Sequence, residues 1–321
     1  MGLTLAITGA NGFIGRACVE AALARGHTVR ALVRRETAFF PPKVEVLPCD
    51  LSGDITTLRS ALIGTDAVIH AAAALSGDPV KTQRDTLEAT KNLIAALTHQ
   101  DPAPRLVLLS SIAVYDASAT TVDEDSPLEP DPRGRDGYAR SKLAQEALLH
   151  GAPLHGWIAR PGAVFGPGRI WNAHLGLRRG PLLIRLGHDA PIPLIERRSC
   201  ADALVAAAET PPPGGGMRPV NLIDSDLPDA RRYLRALGPA APRLHLPLPW
   251  RALAALARVL SKVPALDGAL PGLLQPRTLE ARFGTKRWSN IRAQRELGLA
   301  PHQPFENALH AAIAHSDGGA A

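Results

Sequence analysis

The chain has 321 residues, 45% of them hydrophobic, and its 36 Arg and Lys against 30 Asp and Glu give a net charge of +6. This length can bury one large core or two unequal ones, and no uncharged apolar run reaches the roughly 18 residues of a membrane-spanning helix. The basic residues are dispersed and aromatic residues make up only 4%, which argues against a nucleic-acid-binding protein.

The cysteines and histidines give no sign of a disulfide framework or a metal site. Cys18, Cys49 and Cys200 are far apart in the sequence, which is typical of reduced core thiols in a cytoplasmic protein. No cluster of His, Cys and carboxylate residues has the spacing of metal ligands, so we expect no metal.

The first predicted strand, residues 3–8, runs into the glycine-rich turn Thr8-Gly9-Ala10-Asn11-Gly12-Phe13-Ile14-Gly15, and a helix over 13–25 follows, ending before Gly26. Strand, glycine turn and helix form the setting in which the pyrophosphate of a dinucleotide binds, at the positive end of the helix dipole. We expect Gly9 to allow the tight turn, Gly12 to admit the phosphates and Gly15 to bring helix and strand together. The residues predicted to contact a cofactor here are Gly9, Asn11, Gly12, Phe13, Ile14 and Gly15.

The second predicted strand ends in Val33-Arg34-Arg35, with no acidic residue over 31–35. An acidic residue at this point accepts the ribose 2′-hydroxyl of NAD, whereas a cation suits the 2′-phosphate of NADP. Arg34, helped by Arg35, is therefore the candidate clamp for a 2′-phosphate. We favour NADP as the cofactor, with NAD as the alternative.

Apolar runs continue to alternate with helical patterns through the first half of the chain. The predicted strands are 3–8, 28–33, 44–47, 67–70, 105–109 and 156–160, with a further strand at 220–223. The predicted helices are 13–25, 54–63, 81–99 and 137–150. This alternation predicts an α/β fold with a doubly wound parallel sheet of the Rossmann type.

From about residue 166 the alternation gives way to Gly, Pro, Arg and short helices, which predicts a smaller, mostly helical C-terminal domain for the substrate. We assign 1–165 and about 201–237 to a dinucleotide-binding domain, and 166–200 and about 238–321 to a substrate-binding domain over the carboxyl ends of the strands. The stretch 169–198 has six arginines against two acidic residues. This excess fits either a solvated surface or the lining of a site for an anionic substrate.

Two further patterns supply candidate catalytic groups. The strand at 105–109 is followed by Ser110-Ser111, and Tyr138 and Lys142 lie one turn apart on a single helix face. A phenol has a pKa of about 10, and we expect the ammonium of Lys142 to lower that of Tyr138 toward neutrality. Neither serine lies in a Gly-x-Ser-x-Gly elbow, which disfavours a Ser-His-Asp hydrolase.

Together these residues resemble the extended branch of the short-chain dehydrogenase/reductase superfamily, in its NAD-dependent epimerase/dehydratase group. The shared elements occur in the right order: the glycine turn, Asp50-Leu51, His70-Ala71-Ala72-Ala73, residues 110–115, Tyr138-x-x-x-Lys142, residues 160–168 and Glu296-Leu297-Gly298-Leu299-Ala300-Pro301. The resemblance implies that Tyr138 is the acid/base, that Ser111 is the catalytic hydroxyl and that Lys142 holds the nicotinamide ribose. It also implies cofactor contacts from Asp50, Leu51, Ala71, Ala72, Ala73, Pro161 and Val164.

The chain departs from the family pattern in three places. Thr86 stands where the Val-Asn-x-x-Gly-Thr stretch usually has Asn, which puts a water-relay role there in doubt. The usual His-Val-x-Asp stretch reads Arg198-Ser199-Cys200-Ala201-Asp202. The segment 123–137 is long and begins with three acidic residues, and we favour a solvated loop over a mobile flap.

These observations favour an NAD(P)-dependent oxidoreductase that transfers a hydride between the nicotinamide and a carbonyl or secondary alcohol. An exchangeable NADP suits net reduction, and apolar Ile112 and Ala113 after Ser111 argue against dehydration. The alternatives are a nucleotide-sugar epimerase with tightly bound NAD and a non-catalytic NADP-sensing protein. We further expect a small-molecule substrate, and neither nucleic acid nor membrane as a partner. The resemblance is compatible with a homodimer formed through two helices, one of them the helix of Tyr138, and leaves the oligomeric state open.

Overall fold

The computed structural model describes residues 2–35, 40–73, 79–186, 190–260, 274–300 and 303–317. Its strands are β1 Thr4–Thr8, β2 Thr28–Val33, β3 Val44–Pro48, β4 Ala67–His70, β5 Arg105–Leu109, β6 Thr121–Val122, β7 Gly156–Pro161, β8 Ala163–Phe165, β9 Leu177–Arg179, β10 Leu182–Arg185, β11 Leu194–Glu196, β12 Met217–Leu222, β13 Leu244–Pro247 and β14 Arg287–Trp288. Its helices are α1 Phe13–Ala24, α2 Ile55–Ala61, α3 Pro79–Leu97, α4 Gly137–Ala147, α5 Arg197–Glu209, α6 Ala230–Leu237, α7 Trp250–Leu260, α8 Pro276–Phe283, α9 Ile291–Glu296 and α10 Phe305–Asp317.

Seven strands form a parallel sheet in the order β12-β7-β5-β4-β1-β2-β3. Helices α1 and α5 bury apolar residues on one face, and α2, α3 and the turn after α4 do so on the other. Both faces are covered, so strands such as β1 are apolar at successive positions: Leu5 and Ile7 face one cluster and Ala6 the other. The predicted doubly wound sheet and its strand positions are confirmed.

The segment 166–200 differs from the expected short helices. It contains β9 and β10, which form an antiparallel pair across Gly180, and β11, which pairs with β8. Strand β13 adds to β10 in parallel, so a small sheet forms beside the main one. The prediction of short helices here was wrong because apolar runs of three or four residues carry too little periodicity to separate strand from helix.

The acidic segment after β6 is exposed over much of its length, as expected for a solvated loop, but its first residues contact distant elements. Glu124 is buried and its Oε1 accepts the backbone N–H of Asn221 on β12 at 2.9 Å. Both carboxylate oxygens of Asp125 accept from Arg292 on α9 at 2.8 Å. These partners lie far along the chain, so no local pattern could reveal them.

The three cysteines are buried free thiols, as predicted. Across the described ranges, no helix has the length and apolar character needed to cross a membrane. Two residues used in the sequence analysis, Pro301 of the closing motif and Asp189 of the Arg-rich stretch, lie outside the described residues.

Candidate active site

A cavity of about 910 Å³ lies at the carboxyl ends of the central strands. Every residue predicted for the site lines this cavity: Ser111, Tyr138, Lys142, Gly9, Asn11, Gly12, Phe13, Ile14, Gly15, Arg34, Asp50, Leu51, Ala71, Ala72, Ala73, Pro161 and Val164. The fold therefore brings these residues together, while the role of each one stays a prediction.

The glycine turn has the geometry of a phosphate cradle. Gly9 has φ +66°, and a Cβ there would lie 2.8 Å from the Cα of Ala72. A Cβ on Gly15 would lie 2.1 Å from the carbonyl oxygen of Gly9, so the close approach of α1 to this turn requires glycine. The N-terminus of α1 begins after Gly12 with no side-chain cap and no acidic residue in its first turn. Its free N–H groups thus fit the pyrophosphate of a dinucleotide.

The rim beyond β2 is basic. Arg34 and Arg35 follow β2 directly, are exposed and line the cavity. Asp50, after β3, uses its Oδ1 to accept the backbone N–H of Ser52 at 3.0 Å. Two cations therefore stand where the adenosine ribose of a dinucleotide would lie.

The two serines after β5 have different partners. Ser110 is buried and donates its hydroxyl proton to Oε1 of Glu146. Ser111 precedes a 3-10 turn over Ile112–Val114, and its Oγ accepts the backbone N–H of Ala113 at 3.1 Å. Ser111 and Tyr138 line the same cavity, and Tyr138 is 55% exposed. Because the hydroxyl of Ser110 is bonded to Glu146, Ser111 is the hydroxyl that remains available beside the phenol.

The pKa values of both Tyr138 and Lys142 are shifted by the fold. Loss of solvent around the phenol raises the pKa of Tyr138 above its ordinary value of 10, while Ser111 opposes the rise and Asp136 adds to it. Burial lowers the pKa of Lys142 to about 8, which the charge of Glu146 partly offsets. Its ammonium donates to the backbone oxygen of Leu109 at 2.7 Å and to Oε1 of Gln145 at 2.9 Å. These two oxygens hold the ammonium of Lys142 against the protein wall, and its lowering of the pKa of Tyr138 stays a prediction.

A buried ion pair supports this wall of the site. Arg160 on β7 donates to Glu146 on α4 through Nε at 3.0 Å and through Nη2 at 2.7 Å. Its Nη1 donates to the hydroxyl of Tyr115 at 3.0 Å, which in turn donates to Oδ1 of Asn221 at 2.7 Å. Glu146 was not among the residues predicted from the sequence, although its position four residues after Lys142 places both on one helix face.

The 171–174 segment and α8 also line the cavity. His174 donates Nδ1–H to Oδ1 of Asn172 at 2.9 Å, and burial together with the charge of Arg282 lowers the pKa of His174 to about 3. Arg282 lines the cavity, and its sole ion-pair partner within the described ranges is Oδ2 of Asp136 at 3.7 Å. His174 is therefore neutral at physiological pH, and Arg282 keeps donors available toward the cavity.

The Arg-rich stretch 169–198 does not line the cavity as a group. Of its six arginines Arg169 alone does so, with its guanidinium 4.7 Å from the ring centroid of Phe13. The other five are Arg178, Arg179, Arg185, Arg197 and Arg198. The hypothesis that this stretch lines an anion site was wrong for those five.

Fold and site together define a dinucleotide-dependent enzyme. Residues 5–216 match the model of the NAD dependent epimerase/dehydratase family. The match covers more than half of the chain, so the protein belongs to this family, within the extended short-chain dehydrogenase/reductase superfamily.

Individual relatives include reductases. The chain is 30% identical over 257 residues to the 3-diazoavenalumate denitrifying reductase of a Streptomyces species, covering 74% of this chain and 82% of that protein. It is also 30% identical over 218 residues to the ceramide reductase of Caulobacter vibrioides, covering 64% of this chain and 61% of that protein. The UDP-N-acetylglucosamine 4-epimerase of Bacillus cereus has a similar fold, with a TM-score of 0.69, 18% identity and coverage of 100% of this chain and 98% of that one.

Proposed function

We propose that this protein is an NAD(P)-dependent oxidoreductase that interconverts a carbonyl group and a secondary alcohol. The observation that carries the proposal is that Ser111, Tyr138 and Lys142 line the same cavity as the glycine turn. Two relatives described as reductases support this reaction class. A protein that only sensed NADP would need the turn but not the paired hydroxyls.

The site can bind a carbonyl and deliver a proton to it. Ser111 and Tyr138 both present hydroxyl donors, so a carbonyl oxygen between them would accept two hydrogen bonds. Tyr138, with a raised pKa, is protonated at neutral pH, which is the form that an acid needs in the direction of reduction. Lys142, largely charged at pH 7, would stabilise the phenolate left after proton transfer. A bound nicotinamide would supply the hydride.

Consumption of NADPH at 340 nm tests the reaction. We expect one or more members of a panel of ketones, aldehydes and sugar nucleotides to support turnover above the background of a Tyr138→Phe variant. Equal rates for the two proteins on every compound would overturn the proposal. The epimerase alternative predicts instead that NAD remains bound through purification, and its main sequence support is reduced because five of the six arginines lie outside the cavity.

Arg34 is the basis for favouring NADP. We expect Arg34→Ala to weaken NADPH binding by roughly ten- to a hundredfold, since a hydrogen bond to a charged group contributes about 1.5–3 kcal/mol. Binding of NADH, which lacks the 2′-phosphate, should change less than threefold. Fluorescence titration of both cofactors measures the ratio, with Arg179→Ala, an exposed arginine outside the cavity, as the control. A similar loss for NADH and NADPH would argue that Arg34 has no part in the choice.

We further propose that the substrate carries an anionic group that Arg282 binds. The proposal is supported by the position of the Arg282 guanidinium, which lines the cavity. The distance from its Nη2 to Oδ2 of Asp136 is 3.7 Å, which is longer than a normal hydrogen bond. This would assign recognition of the anionic group to the region 238–321. We expect Arg282→Gln to raise KM for a carboxylated substrate about tenfold or more, to change KM little for its methyl ester, and to spare kcat. Arg287→Gln, an exposed arginine on β14, is the control; equal effects on acid and ester would contradict the assignment.

A further inference from the structure

The ammonium of Lys142 has two of its three N–H groups fixed by the protein. One donates to the backbone oxygen of Leu109 at the end of β5, and another to the side-chain oxygen of Gln145 one turn along α4. An ammonium carries three donors and no acceptor. One N–H is therefore left for the cavity that Lys142 lines.

The amide of Gln145 is itself held in one orientation. Its Nε2 donates to the hydroxyl of Thr90 on α3 at 2.8 Å, and that hydroxyl gives its own proton to the backbone oxygen of Thr86 at 2.9 Å. Thr90 Oγ1 must therefore act as an acceptor toward Gln145. This arrangement forces the amide oxygen of Gln145 toward Lys142.

The hydrogen bonds continue from Thr90 to the glycine turn. His70 Nε2 lies 3.2 Å from Thr90 Oγ1 and its Nδ1 lies 2.8 Å from Oγ1 of Thr8. Because the Thr90 proton is already used, His70 must donate from Nε2 and accept at Nδ1, as a neutral imidazole. Thr8 then donates to His70 and accepts the backbone N–H of Ala72 at 3.2 Å. Thr8, His70, Thr90, Gln145 and Lys142 are all buried.

We propose that Gln145 is a positioning residue that orients the ammonium of Lys142, through an amide locked by Thr90, so that its remaining N–H points into the cofactor cavity. The proposal rests on the function proposed for Lys142 and adds to it the residue that sets the direction of the ammonium. Thr86, which stands where the family usually has asparagine, takes part in this chain of bonds through its backbone oxygen.

The charged and titratable groups around Lys142 define what substitutions should do. Glu146, on the same helix, forms an ion pair with Arg160. Burial, together with the charge of Lys142, lowers the pKa of His70 to about 3, so His70 is uncharged. Tyr138 is a protonated and therefore uncharged phenol. Gln145→Met keeps the length but removes an acceptor for the charged amine, so the pKa of Lys142 should fall. Gln145→Glu places a carboxylate there, so that pKa should rise.

Titration of Lys142 by NMR tests this without any substrate. The chain has six lysines, so carbon-13 lysine labelling gives few signals, and the one lost in Lys142→Met identifies Lys142. We expect shifts of about one pH unit or more in opposite directions for Gln145→Met and Gln145→Glu. A residue with a purely structural role would lower thermal stability in both variants without moving the titration in opposite directions.

Variants at two other positions allow the proposal to be tested even if a Gln145 variant fails to fold. Thr90→Val should lower the pKa of Lys142 in the same direction as Gln145→Met, whereas Thr90→Ser, which keeps the hydroxyl, should not. Ala147→Gln, at an exposed position of α4, should leave the titration unchanged. Shifts of the same sign in both Gln145 variants, or none in the folded Thr90→Val protein, would overturn the proposal. If the titration shifts occur as predicted but the protein does not oxidise NADPH with any substrate, the result would count against the reductase function and not against the role of Gln145.

Discussion

Tyr138→Phe is expected to reduce turnover by about a hundred- to ten thousandfold, the contribution typical of general acid catalysis. The change removes one hydroxyl and keeps the ring. The phenol is more than half exposed to the cavity, so folding should be unaffected. The glycine turn and Arg34 are untouched, so the Kd for NADPH should stay within about twofold.

The second phenol of the cavity provides a matched control. The hydroxyl of Tyr115 is buried and holds Arg160 and Asn221 together. Tyr115→Phe makes the same chemical change, but its main effect should be a lower free energy of unfolding. Steady-state kinetics and urea unfolding of both variants separate the two roles. If Tyr138→Phe kept more than a tenth of the activity, Tyr138 could not be the acid.

Glu146→Ala is expected to cost about 3–5 kcal/mol of unfolding free energy, which is typical of breaking a buried ion pair on one side. The side chains of Arg160 and Glu146 are only 5% and 2% exposed, so the charge of Arg160 would be left buried and uncompensated. Ser110 would lose its acceptor at the same time. This is a loss of stability, measurable by urea denaturation followed by circular dichroism.

An exposed glutamate provides the control for the loss of stability expected in Glu146→Ala. Glu45 pairs with Arg30 at 2.8 Å, but its side chain is 52% exposed, so Glu45→Ala should cost less than about 1 kcal/mol. The double variant Glu146→Leu with Arg160→Met should recover part of the loss, because it removes both charges together. Equal losses for Glu146→Ala and Glu45→Ala would show that the buried pair contributes no more than a surface pair.

The sequence was most informative where local pattern and burial agree. Strands covered on both faces appear as apolar runs, and the candidate site residues follow those strands or occupy the first turns of the next helices. Gly9 and Gly15 are identified by spacing because the close packing of α1 on β1 excludes a side chain. These features depend on neighbours within a few residues, so the chain alone predicts them.

The remaining features depend on partners that sequence spacing does not connect. Arg282 meets Asp136 from 146 positions away, and Glu124 reaches Asn221 across 97. In the sequence, Gln145 cannot be distinguished from other polar helix residues. Its role depends on its contacts with Thr90 and Lys142, which only the structure reveals. The pKa of Tyr138 likewise depends on how much water the folded protein removes around the phenol, which no motif encodes.

Strand β12 has a consequence for any attempt to isolate the nucleotide-binding part of this chain. It occupies one edge of the main sheet and is paired to β7 along its whole length, yet it begins at residue 217, just past the region that matches the family. A truncated fragment ending there would leave the fully buried strand β7 with an open row of backbone donors and acceptors, a template for intermolecular aggregation. Expression of a shortened chain should therefore retain β12 and the α9 segment that covers it.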